Sequence, residues 1–286
     1  MNNINMHILV PNKDSTKFFG VDYFLDILSG NNPLAKYYST SLDHNPVYKP
    51  GPISLLPEMY DFLDIELSGR ETNGIIGIQT NPDIYSGINS IARLLDSFEK
   101  FNMGLFLETN SAKLIDDLPR LVDFAKKLPL LIAIPVATID NKSKLFSEHM
   151  HLDNALRIIQ KIKAVGLKVG IIIKPVVPFI NDGTEEFMEI INKAISFGVD
   201  FVYPALSIKF DSKKIKAFYD IIDLEYPENM VKYRDIYGMK FIWESPNLPE
   251  LKKNFVITCR KHKVLYAMKD IINLYKPDLN IQLKLF

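Results

Sequence analysis

Residues 130–182 read LLIAIPVATIDNKSKLFSEHMHLDNALRIIQKIKAVGLKVGIIIKPVVPFIND, and this stretch decides the fold. Two continuous apolar runs of strand length, Leu130–Ala137 and Leu167–Ile173, favour strands that are covered on both faces, as in a parallel sheet. Between them, apolar residues recur every three or four positions from Leu152 onward, and Gly166 stands where a helix ends. Strand, helix and strand at this spacing predict a right-handed βαβ unit.

The alternation of short apolar runs and helical periods continues outward from this unit. Of six predicted strands, the last five alternate strictly with segments whose apolar residues recur at helical spacing. Such alternation predicts an α/β fold with a parallel sheet, and six units favour a partial (βα)6 TIM-like barrel over a complete eight-stranded one. The predicted strands are Tyr23–Leu28, Gly74–Thr80, Met103–Thr109, Leu130–Ala137, Leu167–Ile173 and Val199–Leu206.

The whole pattern is interpreted as one barrel domain over residues 1–275, in which residues 1–22 form an amino-terminal extension. After Pro227 the pattern becomes helical, so residues 228–275 are predicted to be helical additions to the barrel. Residues 276–286 are predicted to be a flexible tail. Ligands of parallel α/β folds lie beyond the carboxyl ends of the strands, which directs attention to Thr138–Asp140 and Lys174–Asp182.

Composition narrows the classes of function. The chain has 286 residues, with 34 Lys and Arg against 34 Asp and Glu, so its net charge of zero gives no overall attraction to nucleic acid or membranes. Residues 250–286 depart from this balance, with eight Lys or Arg against three Asp or Glu, which favours an anionic partner there. The amino terminus lacks the layout of a secretory signal, and no apolar run reaches the roughly 18 residues of a membrane helix. We therefore expect a cytoplasmic protein without a membrane partner.

Cysteine use limits the metal chemistry of this chain. Cys259 is its one cysteine, so the chain forms no internal disulfide and no metal site with several thiolates of its own. Cys259 shares a helical face with Leu251 and Phe255, which predicts a buried structural thiol.

Seven short segments at the predicted strand ends and beyond can be compared with known families. They are Thr80-Asn81-Pro82, Thr109-Asn110-Ser111, Thr138 with Glu148, PVVPFIND at 175–182, Tyr203-Pro204, LYAMKDII at 265–272, and QLKLF at 282–286. Together they closely resemble the spore photoproduct lyase-like family of radical S-adenosylmethionine (SAM) proteins, whose members carry similar segments in the same order. The resemblance runs from about Phe18 to Phe286 and implies a barrel of the radical SAM type.

The family's chemistry requires a C-x3-C-x2-C motif in the loop after the first strand. Its thiolates hold three irons of a four-iron cluster, and the fourth iron binds SAM, which is then cleaved to a radical. Aligned without gaps, this chain has Asn31, Ala35 and Tyr38 at the three positions. Amide, methyl and phenol groups do not replace thiolates. The leading hypothesis is thus a DNA-repair-related pseudoenzyme or regulatory protein that has no iron–sulfur cluster and no metal ligand at these positions.

SAM itself remains an expected ligand, because a cofactor cavity can outlive the cluster. The resemblance implies that a residual SAM or ligand cavity is lined by residues at the strand ends. A structural alternative exists for Glu148, since a carboxylate in the turn before a helix also interacts favourably with the helix dipole. The candidate residues are Thr80, Asn81, Thr109, Ser111, Thr138 and Glu148.

A second hypothesis is an active TIM-barrel enzyme with different, metal-dependent chemistry at the barrel mouth. His149 and His151 have the spacing of paired zinc ligands. They precede a helix instead of ending a strand, however, and His7, His44 and His262 show no ligand spacing.

The carboxyl terminus resembles the QLxLF peptide with which bacterial replication and repair proteins bind the DNA sliding clamp. Leu283, Leu285 and Phe286 would fill a hydrophobic groove, while Gln282 would form hydrogen bonds. The alternative is that these apolar residues fold back onto the barrel. A second predicted partner is an active paralogue, and contact with DNA is left open.

Overall fold

The computed structural model describes residues 8–13, 18–29, 39–40, 52–55, 58–70, 73–80, 82–139, 145–146 and 151–276. The strands within these ranges are β1 Leu9–Pro11, β2 Tyr23–Leu25, β3 Leu28–Ser29, β4 Ser39–Thr40, β5 Ser54–Leu55, β6 Ile75–Ile78, β7 Gly104–Glu108, β8 Leu130–Val136, β9 Val169–Ile173, β10 Phe201–Pro204, β11 Ser207–Lys209 and β12 Ile242–Glu244.

The α-helices within the same ranges follow the strands in alternation through the middle of the chain. They are α1 Met59–Ser68, α2 Ala92–Lys100, α3 Leu118–Ala125, α4 Leu152–Ala164, α5 Thr184–Ser196, α6 Ser212–Glu225, α7 Met230–Ile236, α8 Leu248–His262 and α9 Met268–Tyr275. Among the described residues, none of these helices is long and apolar enough to cross a membrane.

The central sheet has the strand order β1-β2-β6-β7-β8-β9-β10. The six strands from β2 to β10 in this order are all parallel, and β1 pairs with β2 in the antiparallel sense. Within the described ranges, β1 and β10 are the two ends of the sheet, which is not closed. The predicted α/β partial barrel with six parallel strands is therefore confirmed, and each strand overlaps the apolar run that predicted it.

Alternating side chains of the central sheet serve two cores. One set packs outward against α2 to α5 and includes Ile76, Leu107 and Ile171. The other set points inward and packs with Phe18–Gly20 and α9. Because both faces are covered, the strands read as continuous apolar runs in the sequence.

Phe19 fills the inside of the partial barrel. Its ring is fully buried and stacks on Phe106 of β7, with ring centres 4.6 Å apart. Tyr275 of α9 donates a hydrogen bond to the Phe19 carbonyl oxygen. The predicted amino-terminal extension thus supplies part of the core, which its lack of periodicity did not indicate.

A third hydrophobic core lies beyond the carboxyl ends of β9 and β10. Here β11 pairs with both β12 and β4, and Trp243 of β12 is fully buried. The Trp243 ring stacks on Tyr237 with ring centres 4.6 Å apart. The helical pattern predicted after Pro227 is interrupted at Ile242–Glu244, which lies between α7 and α8 and pairs with β11. The sequence did not indicate this strand, because such pairing has no local sequence signal.

Candidate functional site

The carboxyl ends of β6, β7, β8 and β9 meet at one edge of the sheet, which we call the mouth. Side chains alternate along a strand, so a residue two positions after an inward-facing one also faces inward. Phe106 and Ile172 belong to the inner core. Glu108 and Lys174 therefore lie on the inner face at the mouth.

Glu108 and Lys174 form a buried ion pair across the mouth. The Lys174 Nζ lies 2.6 Å from Glu108 Oε1, and the two side chains are 4% and 0% exposed. The Thr80 hydroxyl donates a hydrogen bond to the same oxygen at 2.5 Å. Glu108 Oε2 is buried and has no hydrogen-bond partner among the described residues. An oriented ion pair of opposite charges thus occupies the centre of the mouth.

Asp83 organises the turn after β7. It accepts hydrogen bonds from the Thr109 hydroxyl at 2.7 Å and from the Asn110 backbone N–H at 3.0 Å, while its other oxygen accepts from the Tyr85 N–H. Burial raises the pKa of the Asp83 carboxyl above its usual value, although the hydrogen bond from Thr109 opposes the rise. Nearby Glu108 adds to the rise through its charge. Thr109 is therefore bound to a carboxylate of the protein itself.

The side chains of Thr138 and Ser111 also form hydrogen bonds within the protein. The Thr138 hydroxyl donates to Glu186 at 2.8 Å, and the same carboxylate oxygen accepts the Ile139 N–H. Ser111 precedes a short 3-10 helix, Ala112–Ile115, and accepts the Lys113 N–H as its cap. Each of these hydroxyls has a structural partner at the place where a SAM contact was predicted.

The segment PVVPFIND after β9 is held by its own amide and carboxylate. Asn181 donates to the carbonyl oxygens of Ala137 and Pro175, and its oxygen accepts the Val177 N–H. Asp182 accepts a hydrogen bond from the Ser245 hydroxyl at 2.5 Å, which connects this loop to the segment that carries Trp243 of the third core. The resemblance in this segment thus corresponds to residues that shape the mouth.

A cleft of about 50 Å³ lies between the carboxyl ends of β2 and β6. Its lining includes Asp26, Leu28, Gln79 and Ile84.

Several predicted site residues lie outside the described part of the chain. These are Asn31, Ala35, Tyr38, Asn81, Glu148, His149, Gln282, Leu283, Leu285 and Phe286. His151 is described: its backbone bridges to Thr138 and it precedes α4 without a side-chain capping bond. Among the described residues, no group of three or more His, Cys, Asp or Glu side chains could hold a metal ion.

Glu108 and Lys174 were not among the predicted site residues. Lys174 is the first residue of Lys174–Asp182, the segment after a predicted strand where a ligand was expected. Glu108 is the last residue of the apolar run MGLFLE. A charged residue that ends an apolar strand is a sequence signal for a polar group at the mouth. Their mutual contact joins two strands that are distant in sequence, so it became visible only in the fold.

The thiol chemistry that the resemblance implies does not fit this chain. Three thiolates would be required to hold the cluster, whereas Cys259 is the one cysteine. Its side chain lies in α8 and is fully buried in the outer core. Burial raises the pKa of the Cys259 thiol to about 12. No reaction step can be derived through an iron–sulfur cluster on these residues.

We expect Cys259 to be unreactive in the folded protein. At pH 8 the raised pKa leaves far less thiolate than an exposed cysteine with a pKa of about 8.5 would have, and burial excludes the reagent as well. Labelling with a disulfide reagent should be at least about 100-fold slower in buffer than in denaturing urea. Equal labelling rates in the two conditions would contradict the buried position of the thiol.

No protein-family model and no curated protein sequence matches this chain. Among solved structures, spore photoproduct lyase complexed with a dinucleoside spore photoproduct matches 94% of this chain and 77% of its own chain, with 12% identity and a TM-score of 0.50. A tyrosine-to-phenylalanine mutant of that lyase matches 95% of this chain and 78% of its own, with 14% identity and a TM-score of 0.51.

A third solved structure is much longer than this chain. SuiB from Streptococcus suis bound to SAM matches 77% of this chain with 15% identity and a TM-score of 0.46, and this chain spans 44% of its length. At such identities, structural likeness concerns the fold, and function has to be argued from the site. The spore photoproduct lyase structures match nearly the whole chain. The chain therefore has the fold of spore photoproduct lyase, the partial barrel that its sequence segments resemble.

Proposed function

We propose that this chain is a catalytically silent protein on the spore photoproduct lyase fold, which has lost the iron–sulfur chemistry and acts by binding. The observation that carries the proposal is the buried pair of Glu108 and Lys174, which fills the centre of the mouth with the protein's own charges. Lys174 and Thr80 both bind Glu108 Oε1, and Glu108 Oε2 is the buried oxygen of this pair that has no hydrogen-bond partner among the described residues. A regulatory role beside DNA-repair proteins belongs to the same proposal and rests on the sequence resemblance.

The hydroxyl groups of the mouth support this proposal. Thr80, Thr109 and Thr138 each donate to a carboxylate of the chain, namely Glu108, Asp83 and Glu186. A SAM molecule that used these hydroxyls as donors would have to break the existing hydrogen bonds. Each broken bond to a charged group would cost about 1.5–3 kcal/mol unless the ligand replaced it.

The residues at the three cysteine positions of the motif independently support the proposed loss of catalysis. The three motif positions hold Asn31, Ala35 and Tyr38, and Cys259 is committed to the outer core. The chain therefore offers no set of three thiolates to a cluster. Without that group, SAM would have no site at which electron transfer could cleave it.

An assay of SAM cleavage under reducing conditions tests the proposal. Protein treated without oxygen with iron and sulfide, then mixed with dithionite and SAM, should leave SAM intact by chromatography. A calorimetric titration of the same sample reports binding separately. Binding without cleavage would support a SAM-sensing protein, and absence of binding would support action through a partner. Repeated cleavage by one chain would overturn the proposal.

Residues 277–286 form the tail, which is the second proposed binding site, for a sliding clamp. Lys276, the last described residue before it, forms an ion pair with Asp22 over 3.2 Å. Asp22 also accepts the Ile75 N–H at the amino end of β6. Lys276 therefore lies at the end of the sheet opposite the mouth.

Deleting residues 282–286 is expected to abolish binding to a bacterial sliding clamp while leaving the thermal midpoint of the barrel unchanged. Anchor residues such as Leu285 carry most of the energy in this mode of peptide binding. Surface plasmon resonance with the full chain and the deletion variant provides the measurement. Clamp binding that survives the deletion, or none in the full chain, would remove this partner.

A further inference from the structure

Helix α8 has one face committed to the outer core. Leu251, Phe255 and Cys259 recur every four residues and are buried, and the Phe255 ring packs edge-on against Tyr266 with centres 5.8 Å apart. Helix α8 also packs along α5. Its orientation is therefore fixed, and the residues on its opposite side face away from the fold.

The opposite side of α8 carries Lys253, Ile257, Arg260 and Lys261, which we call the α8 stripe. Lys253, Arg260 and Lys261 each lie three or four positions from Ile257, so the four residues share one face of the helix. All four are exposed, and Ile257 is 54% exposed. Arg260 donates a hydrogen bond from Nε to the Tyr266 hydroxyl at 2.8 Å, which restricts its position. The stripe thus presents an apolar side chain between cations, one of which is held by Tyr266.

Some cations elsewhere on the surface are neutralised by carboxylates. Arg120 of α3 binds both Asp96 and Glu99 of α2, and Lys163 of α4 binds Asp200. Among the described residues, Lys253 and Lys261 make no ion pair, and neither do Lys213 and Lys216 of α6. What distinguishes the α8 stripe is therefore the combination of its cations with the exposed Ile257 on one helical face.

We propose that the α8 stripe docks an acidic amphipathic segment of a partner protein, with carboxylates on its cations and an apolar side chain on Ile257. Charge complementarity selects an anionic partner. The central Ile257 selects a protein over a nucleic-acid backbone, because phosphates and sugars offer it no apolar group of matching size. This docking surface lies on a helix outside the mouth and does not depend on the proposed loss of catalysis.

Fluorescence anisotropy with defined probes tests the proposal. The first probe is a synthetic helical peptide with leucines along one face and glutamates on both sides of them, and the second has serine in place of each leucine. The third is a mixed-sequence DNA duplex. The leucine peptide should bind the full chain most tightly, and added salt should weaken it because the ion pairs are exposed.

Two matched charge-reversal variants locate the contact. The Lys253→Glu/Lys261→Glu variant should weaken binding of the leucine peptide by about tenfold, the effect expected when two exposed ion pairs are lost. The Lys213→Glu/Lys216→Glu variant changes two exposed lysines of α6. It alters the net charge equally and should bind like the unmodified chain.

A further pair of variants isolates the apolar contribution. Ile257→Ser should lower the affinity for the leucine peptide to that for the serine peptide, whereas Ile65→Ser, at an exposed site on α1, should have no effect. Circular dichroism confirms that each variant is folded. Tighter binding of DNA than of the leucine peptide, or equal losses in the α6 and α8 variants, would overturn the proposal.

Discussion

Replacing Lys174 with methionine is expected to destabilise the fold by about 3–5 kcal/mol, the usual cost of removing one partner from a buried ion pair. The substitution would leave the Glu108 carboxylate buried, with the Thr80 hydroxyl as its remaining described partner. Methionine has a volume similar to that of lysine, so the loss reports charge more than packing. Urea denaturation at neutral pH measures the free energy of unfolding directly.

Two control variants distinguish the effect of a buried unpaired charge from the effect of losing any lysine ion pair. In Lys174→Met/Glu108→Gln, the charge of Glu108 is removed as well and the glutamine oxygen can still accept from Thr80, so most of the lost stability should return. Lys126→Met breaks the exposed pair with Asp123 and should cost about 1 kcal/mol or less. A Lys174→Met variant no less stable than Lys126→Met would show that the buried pair is not formed as described.

The barrel was predictable because its strands carry their signal locally. Leu130–Val136 and Val169–Ile173 are buried on both faces, so their burial is visible as continuous apolar sequence. The helix between them is visible through its periodic apolar face. Elements of this kind can be recognised from adjacent residues alone.

The parts that escaped prediction depend on contacts between distant residues. Phe19 was not recognisable as a core residue, because its partners Phe106 and Phe201 lie on other strands. The short strand around Trp243 forms only by pairing with β11. Short or irregular segments therefore obtain their structure from the tertiary fold, which sequence periodicity does not reveal.

The hydrogen bonds at the mouth could not be predicted from the sequence for the same reason. The apolar runs placed Thr80, Thr109 and Thr138 at strand ends, and the resemblance implied a ligand there, but the sequence could not indicate the carboxylates that their hydroxyls bind. Asp83 lies outside the matched family positions, yet it accepts the Thr109 hydroxyl. Whether the Thr109 hydroxyl binds a ligand or the protein itself can therefore be decided only when the position of the Asp83 carboxylate, on another turn, is known.

Restoring the three cysteines is the second change for which a large effect is expected. The Asn31→Cys/Ala35→Cys/Tyr38→Cys variant recreates the C-x3-C-x2-C spacing on the existing chain. Treated with iron and sulfide without oxygen, it should bind about four irons per chain with broad visible absorbance, since three thiolates suffice for a cluster with one open iron. Failure of the variant to bind iron would show that the motif was aligned to the wrong residues.

The same treatment of the unmodified chain tests the central claim most directly. Iron and sulfide analysis after gel filtration, together with the visible spectrum, should show no bound four-iron cluster, because Cys259 is the chain's one thiol and is buried. The cysteine-restored variant, prepared in parallel, controls for the loading procedure. A stoichiometric four-iron cluster on the unmodified chain would contradict the account.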